Sequence, residues 1–245
     1  HIAHLFVRDP LVTFEGHIEL NDEESTDHFE TIQSTNWQSV RWKPPPPRLS
    51  ETDAHIGWRA ELRTMEVQFT DFENAAFVVF TVLLTRVVLS LDLSLYIPLS
   101  KVDENMKRAH AVDAVKTQKF FFRSVMVDAE SAPSPCGSRS PNYPEDYQFL
   151  EMSLDEVFNG TKDADTTGEK ETFPGLIPLI YAYLDYINCD EDTLSRIESY
   201  LQLISLRASG DLLTPATWIR RFVATHPAYQ NDSVVSEEIV HDLLS

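Results

Sequence analysis

Two regimes of patterning divide the chain near residue 70. Before it, apolar and polar residues are mixed, and Gly57 to Gln68 (GWRAELRTMEVQ) alternates with the period of a strand. After it, apolar residues recur at helical spacing in blocks separated by polar loops. Thr70-Asp71-Phe72-Glu73 is a capping box, whose hydroxyl and carboxylate can satisfy the free amides of a first helical turn. The helix it opens, Asn74 to Leu91 (NAAFVVFTVLLTRVVLSL), is nearly all apolar. Its uncharged stretch ends at Arg86, short of the roughly 20 residues that span a bilayer, and acidic residues flank it. A buried core helix is therefore expected.

Ser100-Lys101-Val102-Asp103 has the form of another helix start, with Val102, Met106, Ala109 and Val112 at helical spacing and room to continue into Phe120 to Phe122. Residues 129–146 hold Pro133, Pro135, Pro141 and Pro144, a composition that suits an exposed loop rather than helix or central strand. Ser153-Leu154-Asp155-Glu156 starts a short helix that Gly160 can end, and a charged, polar loop follows near 160–172. Three more helices are expected. The first runs from Gly175 to Ile187. The second carries Leu194, Ile197, Leu201 and Ile204 as a stripe and stops at Gly210. The third is capped by Thr214, has Pro215 at its first position, ends at Pro227, and places Trp218 and Phe222 on one face.

In the alternating stretch, Arg59, Glu61 and Arg63 point one way while Trp58, Ala60 and Leu62 point the other, and tryptophan and leucine favour a core. The charged face then looks either to water or into a polar cavity, and the pattern by itself favours water. In a cavity, a glutamate can ligate Mg²⁺ while an arginine two residues away, about 7 Å along the strand, holds a carboxylate or phosphate. Upstream, Ser34 to Lys43 (STNWQSVRWK) mixes Asn, Trp, Arg and Lys before four consecutive prolines, Pro44 to Pro47, which impose a rigid extended segment. That mixture suits a small polar ligand or, equally, a loop packed by its tryptophans.

Charge narrows the partners. With 39 acidic against 20 basic residues and a net charge of −19, the chain would be repelled by phosphate backbones and anionic lipid surfaces, so neither nucleic acid nor membrane is expected as a partner. The two cysteines, Cys136 and Cys189, have no metal or disulfide-framework spacing and suit a reducing, cytoplasmic setting. The eight histidines form no ligand motif, and no Walker, Rossmann or nucleophile signature occurs. The opening HIAHLFVRDP begins with His1 and reads as the interior of a longer protein.

Several strings are more specific than any of these patterns: QSTNWQSVRWKPPPP, IGWRAELRTMEVQFTDFENAAFVVFTVLLTRVVLS, YIPLSKVDENMK, FPGLIPLI and RASGDLLTPATWIRRFVATHP. Together they resemble the eukaryotic glutamate–cysteine ligase catalytic-subunit family, in the family's order and over nearly the whole chain. The resemblance implies an α+β fold, part of a glutamine-synthetase-like architecture in which an antiparallel sheet curves into a funnel with a mostly helical exterior. It further implies that residues 1–245 are the C-terminal portion of one ligase domain, with active-site strand and loops in 1–70 and a mainly helical 71–245.

The implied reaction joins the γ-carboxylate of L-glutamate to the amine of L-cysteine through a γ-glutamyl phosphate, at the expense of ATP with Mg²⁺. It is the first step of glutathione synthesis. On the family's motifs, Glu61 matches a Mg²⁺ ligand and Arg63 a substrate-contacting, catalytic arginine. Trp37 falls near the substrate pocket, and Arg41 and Lys43 are assigned anion or phosphate contacts. Arg59, Glu61 and Arg63 then face the funnel rather than water. Thr64 departs from the proline expected in the family's commoner text. Cys136 lies near the position of a cysteine that forms an intersubunit disulfide with a modifier subunit, while Cys189 reads as structural. The remaining metal ligands and most of the glutamate pocket would lie in the family's N-terminal half, so this segment alone is expected to be inactive and to expose surface that the parent buries. The competing reading is a non-catalytic helical module that regulates a ligase partner.

Overall fold

The computed structural model describes residues 40–46, 48, 50, 52–126, 149–161 and 173–245, together with 21 and 23. Two compact units divide the chain at Val67 and Gln68. Within the first, β1 (Val40–Lys43) pairs antiparallel with β2 (Arg59–Leu62), in a register that sets Val40 against Leu62, Arg41 against Glu61, Trp42 against Ala60 and Lys43 against Arg59.

The second unit is mostly helical. Its elements are α1 (Asp71–Ser90), α2 (Leu99–Ala109), α3 (Ala114–Thr117), the antiparallel pair β3 (Phe120–Arg123) and β4 (Phe149–Met152), α4 (Leu154–Asn159), α5 (Leu176–Tyr186), α6 (Glu191–Ser209), α7 (Pro215–Thr225) and α8 (Glu237–Leu244). Helices with small antiparallel ribbons make the chain α+β. The core forms where α1, α4 and α5 meet α6: Ala76, Phe80 and Val87 of α1 pack with Val157, Leu176, Ile177, Ile180, Leu184, Leu201 and Ile204. Cys189 packs at the margin of this cluster, as a small apolar residue does.

Local signals place the helix ends. The Thr70 hydroxyl accepts from the Glu73 amide at 3.2 Å while the Glu73 carboxylate accepts from the Thr70 amide at 3.1 Å, and Ser153 with Glu156 repeats the arrangement on α4. Gly210 ends α6 in the left-handed conformation, and Thr214 with Pro215 opens α7, where Trp218 and Phe222 lie 5.5 Å apart on one face. Gly160 and Gly175 both have positive φ, and their backbones touch. A Cβ on Gly175 would lie 2.4 Å from the Gly160 nitrogen, so no larger residue fits this crossing.

The structure departs from the sequence reading at four places. The helix behind Pro98 starts at Leu99 without a side-chain cap, so Ser100 is not its N-cap. It also stops at Ala109 instead of running on toward Phe122. Asp113 adopts a left-handed conformation at φ 54°, held by the Thr217 hydroxyl, and Phe120 to Arg123 extend as β3. The Asn105 side chain completes that strand edge, donating to the Phe121 carbonyl and accepting from its amide, each at 2.8 Å.

Helix α1 is buried on one face only. Val78, Val82 and Leu89 form an exposed stripe, and only 17% of its most apolar stretch is buried. Among the described residues it is long and apolar enough to cross a membrane by length and composition alone. Its inner face, however, is committed to the core, and Glu73 in its first turn bonds Arg207 of α6. The fourth departure concerns β2. Trp58 and Leu62 are exposed, Trp58 to 63%, because a two-stranded ribbon offers them no apolar surface to lie on, while Glu61 and Arg63 are half-buried. The loops expected at 129–146 and near 160–172 fall almost wholly outside the described residues, as do Trp37 and Cys136.

Candidate functional site

The β1–β2 ribbon collects the charged residues singled out in the sequence. The pleat puts the residues at a directly opposed pair on one side of the sheet, so positions 41, 43, 59 and 61 share a face and 40, 42, 60 and 62 share the other. Among the described side chains, one face thus carries Lys43, Arg59 and Glu61, and the other Val40, Ala60 and Leu62. Alternation with period two in both strands produces this separation, and the register fixes which basic residues come near Glu61.

Glu61 is the centre of the cluster. Its Oε2 lies 2.6 Å from Lys43 Nζ across the ribbon, and its Oε1 accepts from Arg63 Nε at 2.5 Å along its own strand. Charge-assisted bonds of this length are the strong class, and holding both oxygens fixes the orientation of the carboxylate. All three side chains are partly shielded, with exposures of 36% for Lys43, 25% for Arg63 and 29% for Glu61. Arg59 is turned outward and donates from Nη2 to the Pro44 carbonyl at 3.3 Å, which ties the start of the proline segment to β2. Thr64, where a proline was expected, directs its hydroxyl to the Met65 sulfur at 3.1 Å.

The sequence therefore identified Lys43, Glu61 and Arg63 individually, and the structure brings them together. Arg41 lies opposite Glu61 in the backbone register. The direct bond from Lys43 to Glu61 was not anticipated. Residues 43 and 61 are 18 apart, and no one-dimensional pattern states a cross-strand register, although the shared alternation of VRWK and RAEL is the signal that could have suggested one.

A magnesium ion fits this cluster only as one ligand's worth. The carboxylate is oriented and flanked by groups suited to phosphate oxygens, but among the described residues no three His, Cys, Asp or Glu side chains gather in a metal-binding arrangement. Mg²⁺ commonly takes one or two carboxylates and completes its shell with water and phosphate oxygens, so a single glutamate is compatible with a shared site. Elsewhere, an open cavity of about 270 Å³ in the helical unit is lined by His110, Asp113, Thr214, Thr217 and Arg220. Its acid, Asp113, is already occupied by the Thr217 hydroxyl at 3.2 Å.

Comparison with known proteins bears on the whole chain. The family model described as glutamate-cysteine ligase matches residues 1–245. The glutamate–cysteine ligase of Neurospora crassa is 48% identical across 100% of this chain, which covers 36% of that protein. The catalytic subunits named glutamate–cysteine ligase in Mus musculus and Homo sapiens are each 49% identical across 100% of the chain, which covers 37% of either. The chain thus spans little more than a third of the length of the relatives it matches. No solved structure matches it. Matches of this length and identity leave one assignment: the chain belongs to the glutamate–cysteine ligase family.

Proposed function

We propose that this chain forms one wall of the active site of an ATP-dependent ligase that joins the γ-carboxylate of L-glutamate to the amine of L-cysteine through a γ-glutamyl phosphate, the first step of glutathione synthesis. The observation that carries the reading is the Lys43–Glu61–Arg63 cluster, in which one carboxylate is held by two basic side chains. A reaction that moves a phosphoryl group between two anions needs positive charge at the points where negative charge builds, held in advance of the reaction. Arg63, with its guanidinium already oriented by Glu61, supplies directional donors to a carboxylate or acyl phosphate. Lys43 and Arg41 supply charge for nucleotide phosphates. Trp37 is assigned to the substrate pocket, and Cys136 to a disulfide with a modifier subunit.

Glu61 would hold Mg²⁺ as one of its ligands, with the others contributed by parts of the family protein outside these residues. When bound, the ion neutralises charge on the phosphates of ATP. The β1–β2 ribbon would then belong to a larger antiparallel sheet of glutamine-synthetase-like form, and residues 1–245 would be the C-terminal portion of a single cytoplasmic domain. A segment with one carboxylate for the metal would not catalyse the reaction alone.

The test is formation of γ-glutamylcysteine by the full-length protein with glutamate, cysteine and MgATP, wild type against Glu61→Gln. Cysteine-dependent product that falls at least about a hundredfold in the variant is expected, the scale for loss of a group that stabilises transition-state charge. Equal activity in both would remove Glu61 from the site. No product from the folded wild type would refute the ligase reading and favour a regulatory module.

A further inference from the structure

The turn between α2 and α3 and the start of α7 border the open cavity of about 270 Å³, and its walls carry charges of both signs that do not meet. The Thr217 hydroxyl donates to Asp113 Oδ1 at 3.2 Å, and Arg220 stands one turn further along α7, on the same face. No salt bridge joins Asp113 to Arg220, and Arg220 has no hydrogen-bond or ion-pair partner among the described residues. A guanidinium and a carboxylate held apart on the walls of one cavity leave room for a ligand that satisfies both.

The polar groups sort by sign. On the side of α2 and its turn they accept. His110 donates from Nδ1 to the Met106 carbonyl at 2.6 Å, which leaves Nε2 of the neutral ring as an acceptor beside the C-terminus of α2, the negative pole of that helix. Asp113 is bonded through Oδ1, so its Oδ2 accepts as well. On the side of α7, the positive pole of its helix, the groups donate. Thr214 caps the Thr217 amide at 3.3 Å and leaves the Ala216 amide uncapped, on the face it shares with Arg220. The Thr214 hydroxyl donates to the Thr217 hydroxyl at 3.1 Å, and Thr217 in turn donates to Asp113, so both hydroxyl protons are spent within the structure. Ala111, Val112, Ala114 and Val115 add a small-residue, apolar wall.

We propose that this cavity binds a free aliphatic α-amino acid as its zwitterion, with the ammonium against Asp113 and His110, the carboxylate against Arg220 and the Ala216 amide, and the side chain along the apolar wall. The volume sets the size. At about 270 Å³ the cavity lies just under the roughly 300–1,000 Å³ of pockets for drug-sized ligands, so its ligand is small. A simple anion would leave the Asp113 carboxylate facing like charge, and a simple cation would leave Arg220 facing like charge. A ligand with both charges pairs each. The left-handed turn at Asp113 is pinned to α7 through Thr217, so the acceptors are in place before the ligand arrives. With both hydroxyls spent, the cavity holds its ligand rather than transforming it. No part of the Lys43–Glu61–Arg63 cluster enters this site, and the inference stands apart from the ligase reaction.

The test uses the full-length protein with L-valine as the probe, its binding read by calorimetry and by saturation-transfer NMR of its methyl groups. Isovalerate, which lacks the ammonium, and L-valinamide, which lacks the carboxylate, are the comparison ligands. Saturable binding of L-valine at millimolar concentrations is expected, with neither comparison ligand matching it. Arg220→Met and Asp113→Asn should each weaken that binding by about tenfold, the scale for losing a hydrogen bond to a charged group. Asparagine suits the left-handed turn and still accepts from Thr217, so this variant keeps the cavity. Glu61→Gln, outside the cavity lining, should bind L-valine as the wild type does.

No saturable binding of L-valine, or wild-type affinity in Arg220→Met or Asp113→Asn, overturns the proposal. Isovalerate binding as tightly as L-valine makes the cavity a plain anion site and overturns the zwitterion. An equal loss of L-valine binding in Glu61→Gln means that the probe sits elsewhere, and overturns it too. Arg220→Gln provides the same comparison if the methionine variant does not fold.

Discussion

The pair formed by Glu73 and Arg207 offers a quantitative test of how α1 is held to α6. Glu73 does two things at once. Its Oε2 closes the capping box on the Thr70 amide, and its Oε1 accepts from Arg207 Nη2 at 2.6 Å, with side-chain exposures of only 13% and 12%. Glu73→Gln keeps an acceptor for the cap but turns an amide toward a shielded guanidinium. Breaking a buried pair in this way costs about 3–5 kcal/mol, and the residual exposure points to the lower end, about 3 kcal/mol. Thr70→Ala loses only the cap, about 1 kcal/mol. Arg207→Met leaves a carboxylate that still has the Thr70 donors, so it should cost less than Glu73→Gln. The double variant Glu73→Gln with Arg207→Met should cost at least about 1 kcal/mol less than the sum of the singles, because residues in direct contact are not additive. Urea unfolding followed by helical circular dichroism measures each variant. A Glu73→Gln cost no larger than that of Thr70→Ala, or strict additivity in the double variant, would refute the idea that the ion pair fastens the helices.

Two further outcomes are expected. The hydrogen bond from the Thr193 amide holds the Asp190 carboxyl at the start of α6 below the usual carboxylate range, aided by the Thr193 hydroxyl. A depressed folded value means that this contribution is present above the unfolded pKa and is lost as pH falls through the folded one. The stability advantage of wild type over Asp190→Asn should therefore shrink on acidification through the carboxylate range, and a pH-independent difference in urea midpoints would contradict it. Val82, on the bare stripe of α1, is 53% exposed. Val82→Glu should change the stability of this chain by no more than about 0.5 kcal/mol, as surface changes do. If the rest of the family protein covers the stripe, the same change should destabilise the full-length protein by about 2 kcal/mol or more, because it buries a charge without a partner. Equal effects on the melting of both would mean that the stripe faces water in the whole protein.

Much of the helical architecture was legible along the chain because its causes are local. Thr70 with Glu73, Ser153 with Glu156, Thr214 with Pro215 and Gly210 all act within a single turn, and the structure places each where the pattern indicated. The 3.6-residue stripe of α6 likewise follows from one helix facing one core. The errors arose where a distant partner decided. Phe120 to Phe122 have enough apolar character for helix or strand, and pairing with Phe149 to Met152 together with the Asn105 side chain makes them a strand. Nothing within ten residues carries that information.

The sequence by itself determined the family, the capped helices and the identity of the charged residues on the β1–β2 face, since these depend on residue type and short spacing. Only the tertiary structure decided that Lys43 and Arg63 share one carboxylate, that Trp58 and Leu62 are exposed, and that α1 buries one face and leaves Val78, Val82 and Leu89 bare. The physical reason is the same in each case. Register and burial are properties of pairs of segments, and the free energy that selects them comes from contacts between residues far apart in the chain.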